Sequence, residues 1–249
     1  MILTETNGGT RISSTRYVHY GKITATMKTG KWGGVVVAFI TMSNIKDEID
    51  WEFPGSATTE AQSNHFWQGH IPDRTAGDTH KGLTDTFANY HDYAIDWQED
   101  HLDFVIDGQV VKTVKKSEAV DSRGVSTYPS TPSRVQLSIW PAGIPAMPPG
   151  TREWAGGDIN WNDPDYKSAG QFYTLVKSIK IECADSNAGP NITSYVYGAN
   201  STTDTPSVAF SNASVLLNGA MGMMAQSLGG AGTLATSIAA VLMGIALFV

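Results

Sequence analysis

Cysteine is nearly missing from this chain: its 249 residues carry one, Cys183. No disulfide framework can be built within the chain, and no Cys/His cluster has the spacing of a structural zinc site. Positive charge is scarce as well. Lys and Arg number 17 against 24 Asp and Glu, for a net charge of −7. That argues against a nucleic-acid partner, which calls for a basic patch; a neutral polysaccharide needs no opposite charge. Met1 to Gly30 lacks a basic stretch followed by an apolar core, so no secretory signal is visible. There is no internal repeat. Ala155-Gly156-Gly157 is not followed by a helical pattern, so it does not read as a phosphate-binding loop.

A sustained helical period is also missing between residues 10 and 185. Short β-branched or aromatic runs bounded by turn residues stand in its place. Residues 15–43 read as a hairpin, with Tyr17 to Met27 and Val35 to Met42 as strands around Gly30-Lys31-Trp32-Gly33-Gly34. Tyr90 to Trp97, Leu102 to Ile106 and Gln109 to Val114 form a meander with Asp107-Gly108 as a hairpin turn. Ser133 to Trp140 and Phe172 to Cys183 add two more strands. Many short strands in one domain of this length predict an all-β sandwich or barrel.

Among these strands one is chemically unusual. In Asp47-Glu48-Ile49-Asp50-Trp51-Glu52-Phe53-Pro54-Gly55, alternation puts Glu48, Asp50 and Glu52 on one face and Ile49, Trp51 and Phe53 on the other. Acids are depleted in strands, and three on one face repel. Glycosidic bond cleavage uses such crowding: one carboxyl is ionised while a neighbour keeps its proton for the leaving oxygen. A retaining mechanism needs the two carboxyls about 5–5.5 Å apart. Residues four apart on a straight strand lie roughly 13 Å apart at Cα, from a rise of about 3.3 Å per residue, so Glu48 and Glu52 converge only on a concave sheet.

Glu48 to Phe53 resembles the Glu-x-Asp-x-Glu signature of glycoside hydrolase family 16. The run from Asp47 to Gly55 resembles its fungal Crh-type branch, the cell-wall chitin–glucan transglycosylases. Gly33 to Thr41, Asn64 to Trp67, Tyr93 to Trp97, Ser138 to Gly143 and Trp154 to Gly157 are similar to that branch in the same order. The resemblance implies a concanavalin-like β-jelly roll with a concave substrate groove, covering residues 1–183 as a catalytic domain. It implies Glu48 as nucleophile, Glu52 as general acid/base and Asp50 as the assisting carboxylate. Sugars stack on aromatic faces; the resemblance places Trp140 and Trp154 near the donor sugar, and Trp67 and His65 are candidates for the groove. Trp51 and Trp97 read as core. Gln62, Asn64 and Gln68 are candidates to hydrogen-bond sugar hydroxyls, with nothing to single one out. The expected partners are chitin and β-glucan, acting on a monomer with no cofactor and no metal. An ordinary retaining endo-β-glycanase and a non-catalytic carbohydrate-binding wall protein are the competing readings.

The rest of the chain reads as an attachment. Residues 184–218 are rich in Ser, Thr and Asn and are expected to be a flexible, disordered linker, with glycosylation sequons at Asn191, Asn200 and Asn212. Asn218-Gly219-Ala220, an uncharged spacer and the apolar run from Leu234 to Val249 resemble a GPI-attachment signal over residues 219–249, with Asn218 as the attachment residue. The expected location is the cell surface and cell wall. Such an anchor requires the secretory route, so the N-terminus is expected to be incomplete, and Cys183 is expected either to pair with a cysteine in that upstream sequence or to be a free buried thiol.

Overall fold

A computed structural model describes residues 1–72, 75–184, 189 and 191–213. Among them are fifteen strands and two short helices. In chain order they are β1 (Ile2–Leu3), β2 (Thr10–Ser13), β3 (Gly21–Lys28), β4 (Val35–Ser43), β5 (Glu48–Pro54), β6 (Glu60–Phe66), β7 (Asp78–Lys81), β8 (His91–Trp97), β9 (His101–Ile106), β10 (Gln109–Lys115) and β11 (Ser133–Pro141). There follow α1 (Pro149–Trp154), α2 (Pro164–Ala169), β12 (Phe172–Tyr173), β13 (Leu175–Cys183), β14 (Ser194–Tyr197) and β15 (Val208–Ser211).

Two antiparallel sheets form a jelly-roll sandwich. One has the order β10-β9-β8-β3-β13, the other β2-β11-β4-β5-β6-β7. The core lies between them because both sheets alternate. In β3 every second residue, Ile23, Ala25 and Met27, is fully buried. From the other sheet come Val37, Phe39, Ile49, Trp51 and Phe53. The two tryptophans read as core are there, each with its ring N–H on a backbone carbonyl: Trp51 on Ala94 at 3.1 Å and Trp97 on Pro129 at 2.9 Å. Burying an indole costs little once its one donor is satisfied.

Three expectations need correction. Residues 15–43 are not a hairpin: β3 pairs with β8 and β13, and β4 pairs with β5 and β11 in the opposite sheet. The Gly-rich run between them crosses from one layer to the other. Second, α1 and α2 are helical, each only six residues long, too short to print a period in the sequence. Third, the expected linker is partly ordered, since β14 and β15 pair from Ser194↔Ser211 to Tyr197↔Val208. This hairpin touches the sandwich through the Gln68 amide, which donates to the Thr203 carbonyl at 2.5 Å, the Arg123–Asp204 ion pair at 3.4 Å and an edge contact of Tyr195 with His19. Asn218 and the apolar tail lie outside the described residues. Among the described residues no helix is long and apolar enough to cross a membrane.

Candidate active site

The acidic strand is the fourth of six across its sheet, between β4 and β6. Its inner residues hold it there. Ile49 and Trp51 are fully buried and Phe53 nearly so, and burying each side chain contributes about 1.5–3 kcal/mol. That is enough to offset crowding the acids on the outer face.

Register turns the outer face into three cross-strand rows. Arg134, Met42, Glu48 and Phe66 stand in the first. Gln136, Ile40, Asp50 and Asn64 stand in the second, and Ser138, Ala38, Glu52 and Gln62 in the third. Glu48, Asp50 and Glu52 thus share one face, as the alternation predicts. Ala38, the small residue beside Glu52, leaves room above that carboxyl.

All three acids are pushed toward their protonated forms. Asp50 is 2% exposed and Glu52 8%. Burial raises Asp50 to about 7, with the Lys112 ammonium pulling the other way. Burial, then the charge of Asp50, raises Glu48 well above the usual carboxylate range. Glu52 is raised likewise by burial, then by Asp50 and Glu48. Because each negative charge raises its neighbours, ionising one acid holds the others protonated. The face can therefore offer a carboxylate and a carboxylic acid at once. Asp50 Oδ2 is buried and has no hydrogen-bond partner among the described residues.

An aromatic wall stands at the Glu52 side. Trp140, at the end of β11, is level with Val36 of β4, and its ring stacks on that of Trp154 at 6.2 Å. Trp154 closes α1. Its ring N–H donates to Gln62 Oε1 at 2.8 Å, beside Glu52. Glycines seat this wall. Gly34 has a φ of +76°, a conformation glycine adopts freely, and an added Cβ would lie 2.8 Å from the Gly157 carbonyl oxygen and from Ile159. Gly34 donates to the Ala155 carbonyl at 2.7 Å and accepts from Gly143 at 2.8 Å, which ties α1 to the start of β4.

The opposite side, past Glu48, is held by Asp47. This carboxylate is 1% exposed. It accepts from the backbone N–H groups of Gln68, Ser130 and Thr131 at 3.0, 3.0 and 3.1 Å, and from the Thr131 hydroxyl at 2.7 Å.

His65 is a correction. It pairs with Ile49, so its side chain takes the inner face of β6, away from the carboxylates. Burial first, then Lys112, lowers its pKa to about 4, so it is a neutral, partly buried histidine. Trp67 falls one residue past β6, beyond the Glu48 row, with its ring stacked on His70 at 5.0 Å. At 9% exposure it offers a sugar little surface. Gln62 and Asn64 line the acidic face, whereas Gln68 reaches the β14–β15 hairpin. Arg134, Gln136 and Ser138 were not anticipated, although polar residues alternate with Val135, Leu137 and Ile139 in plain view. Lys112 was also missed. The β9–β10 ladder slips between Val110 and Lys112, and the lysine donates to the Ala76 carbonyl and lies 5.5 Å from the Phe104 ring. Among the described residues no group of three or more His, Cys, Asp or Glu is placed to hold a metal ion.

This geometry can be set beside known proteins. The profile of the glycosyl hydrolases family 16 matches residues 1–156. The chain belongs to glycosyl hydrolases family 16. Within the family it is 42% identical over 185 residues to Crh-like protein 2 of Aspergillus fumigatus, covering 74% of this chain and 42% of that protein. It is 39% identical over 222 residues to Congo red hypersensitive protein 2 of Saccharomyces cerevisiae, covering 88% and 47%. The solved Crh5 transglycosylase in complex with NAG superposes with a TM-score of 0.72 at 33% identity, covering 84% of this chain and 80% of that one. The chain thus spans less than half the length of these two curated relatives.

Proposed function

We propose that this family 16 chain is a retaining transglycosylase that cleaves chitin and transfers the released glycosyl group to a β-glucan or chitin acceptor in the fungal cell wall. Glu48 attacks the anomeric carbon, and Glu52 protonates the leaving oxygen. The glycosyl–enzyme ester is then attacked by an acceptor hydroxyl, which gives its proton back to Glu52. Asp50 between them holds the charge balance. The observation that carries this reading is the one strand face that holds Glu48, Asp50 and Glu52, each raised by burial, beside the Trp140–Trp154 wall. The names of the relatives supply the transfer step and the sugar class.

Domain 1–183 is the catalytic unit in this reading, and it acts as a monomer. Asn191, Asn200 and Asn212 are exposed, as glycan acceptors must be. A GPI anchor at Asn218, with residues 219–249 removed, would hold the enzyme on the outer face of the plasma membrane and against the wall.

The test is a transfer assay with chitin oligosaccharides as donor and a fluorescent glucan oligosaccharide as acceptor. Labelled product in excess of new reducing ends is expected. Reducing ends alone would make it a hydrolase, and neither signal would make it a binding protein. Glu48→Gln should abolish turnover; turnover that survives removes Glu48 from the role.

A further inference from the structure

Asp47 directly precedes Glu48, the first residue of β5, and its carboxylate is fixed by three residues, Gln68, Ser130 and Thr131. Each of the three is reached in turn from the β14–β15 hairpin. The Gln68 side-chain amide donates to the carbonyl of Thr203, in the loop between the two strands, at 2.5 Å. The Tyr197 phenol stands near the Asp47 charge and hydrogen-bonds with Thr131; burial first, then that charge, raises it above its ordinary value. The Ser130 carbonyl accepts from His19 Nε2 at 3.0 Å, and the His19 ring meets that of Tyr195 edge to face with centroids 5.5 Å apart. Three separate paths thus run from one hairpin to one carboxylate.

The hairpin is suited to this. Tyr195 and Tyr197 alternate onto one face of β14, and that face is turned to the sandwich. A two-stranded hairpin is only marginally stable in water by itself, so these contacts, with the Arg123–Asp204 pair, hold it in place. The backbone it grips is strained. Lys46 and Gln68 are not glycines, yet their φ angles are +71° and +50°. One precedes Asp47 in the chain and the other faces its carboxylate. The N–H of Gly69 donates to the Lys46 carbonyl at 2.8 Å, joining the two strained turns. Left-handed backbone of this kind persists only where its surroundings over-determine it, and the hairpin adds to those surroundings.

We propose that the β14–β15 hairpin is a brace for the nucleophile. By holding Gln68, Ser130 and Thr131 it fixes the Asp47 carboxylate, and through the Asp47–Glu48 peptide it fixes the end of β5 that carries Glu48. Gln68 and Tyr197 are positioning residues that act through Asp47 and not on the sugar. A nucleophile displaced by a fraction of an ångström still lets substrate bind but attacks it more slowly. The inference rests on the reading of Glu48 as nucleophile. It makes the stretch expected as a passive linker a working part of the enzyme.

The test compares the full 249-residue chain with Gln68→Met and Tyr197→Phe, which keep side-chain bulk and remove one hydrogen-bonding group each. Val196→Ala, on the other face of β14, is the control. Two things are measured: kcat and KM with a chitin oligosaccharide donor and a glucan oligosaccharide acceptor, and hydrogen exchange by mass spectrometry. In Gln68→Met and Tyr197→Phe, kcat should fall about fivefold to tenfold while KM stays within about twofold. Peptides holding Asp47, Gln68 and Ser130–Thr131 should exchange about tenfold faster, with β8 at the sheet centre unchanged. Val196→Ala should match wild type in both. Wild-type kcat and exchange in the first two variants overturn the inference. A higher KM at unchanged kcat does so too, because the hairpin is then a sugar-binding wall, and so does an equal loss in Val196→Ala, which is general loosening. A wild-type chain without turnover sinks the reading of Glu48 and not the brace, which the exchange comparison then supports or overturns by itself.

Discussion

Replacing Asp50 with Asn removes a charge whose burial the fold tolerates at a cost. Asp50 would titrate near 3.8 in the unfolded chain and titrates at about 7 in the folded one. Between those values the folded state binds more protons than the unfolded state. Its contribution is therefore fully present below about pH 4 and is lost as pH rises through about 7. The gap corresponds to about 4 kcal/mol by neutral pH. Asn cannot ionise, so that loss disappears. The amide still occupies a site where Oδ2 has no partner, which costs about 1–3 kcal/mol. The variant should be more stable than wild type by about 1–3 kcal/mol at pH 7 and no more stable at pH 4. For a domain of this size that is a rise in Tm of roughly 3–10 °C. Calorimetric melts of both proteins from pH 4 to 8 read it directly: wild-type Tm falls across the range and the variant's falls less, while turnover drops. Two melting profiles that run parallel with pH would refute the reasoning, because Asp50 would then not be the group that titrates.

Lys112→Met removes a cation that opposes the burial of Asp50. Asp50 should rise further, so the pH range over which the protein loses stability through Asp50 should move upward in calorimetric melts; an unmoved range means that Lys112 does not act on it. Asp47→Ala leaves three backbone donors and a hydroxyl without their acceptor. It should cost about 3–5 kcal/mol and depress Tm by about 10 °C, and a loss below 1 kcal/mol in denaturant melts counts against its anchoring role. Trp154→Phe keeps a ring but loses the bond to Gln62; KM for oligosaccharide should rise about threefold to tenfold, and an unchanged KM shows the wall to be idle. Gly34→Ala should lower both Tm and activity, because the added Cβ meets the Gly157 carbonyl and Ile159; wild-type values for both would show that the loop yields.

What the sequence made legible was periodic and local. Glu48, Asp50 and Glu52 follow a period of two, and a period of two survives folding unless a bulge interrupts it. The core of Ile49, Trp51 and Phe53 came with it. His65 was misplaced because its face depends on its pairing with Ile49, and pairing is not written in either strand alone. Lys112 was invisible for the opposite reason: a bulge shifts the alternation of β10. Trp154 reaches Gln62 across a span of 92 residues, a distance at which no turn or spacing rule speaks. The Gly30–Gly34 run did look like a turn, but turn chemistry does not say which sheet the chain enters next. Tyr195-Val196-Tyr197 and Val208-Ala209-Phe210 carried a strand signal that Ser, Thr and Asn around them concealed.

The bond between Trp154 and Gln62 has one further effect. An indole N–H can only donate, so the carboxamide has a single allowed orientation: its oxygen faces the indole, and its NH2 points away from it. Beside Glu52 the side chain therefore turns a hydrogen-bond giver away from the indole, so a ligand oxygen placed there with its lone pairs toward the NH2 finds a donor already oriented.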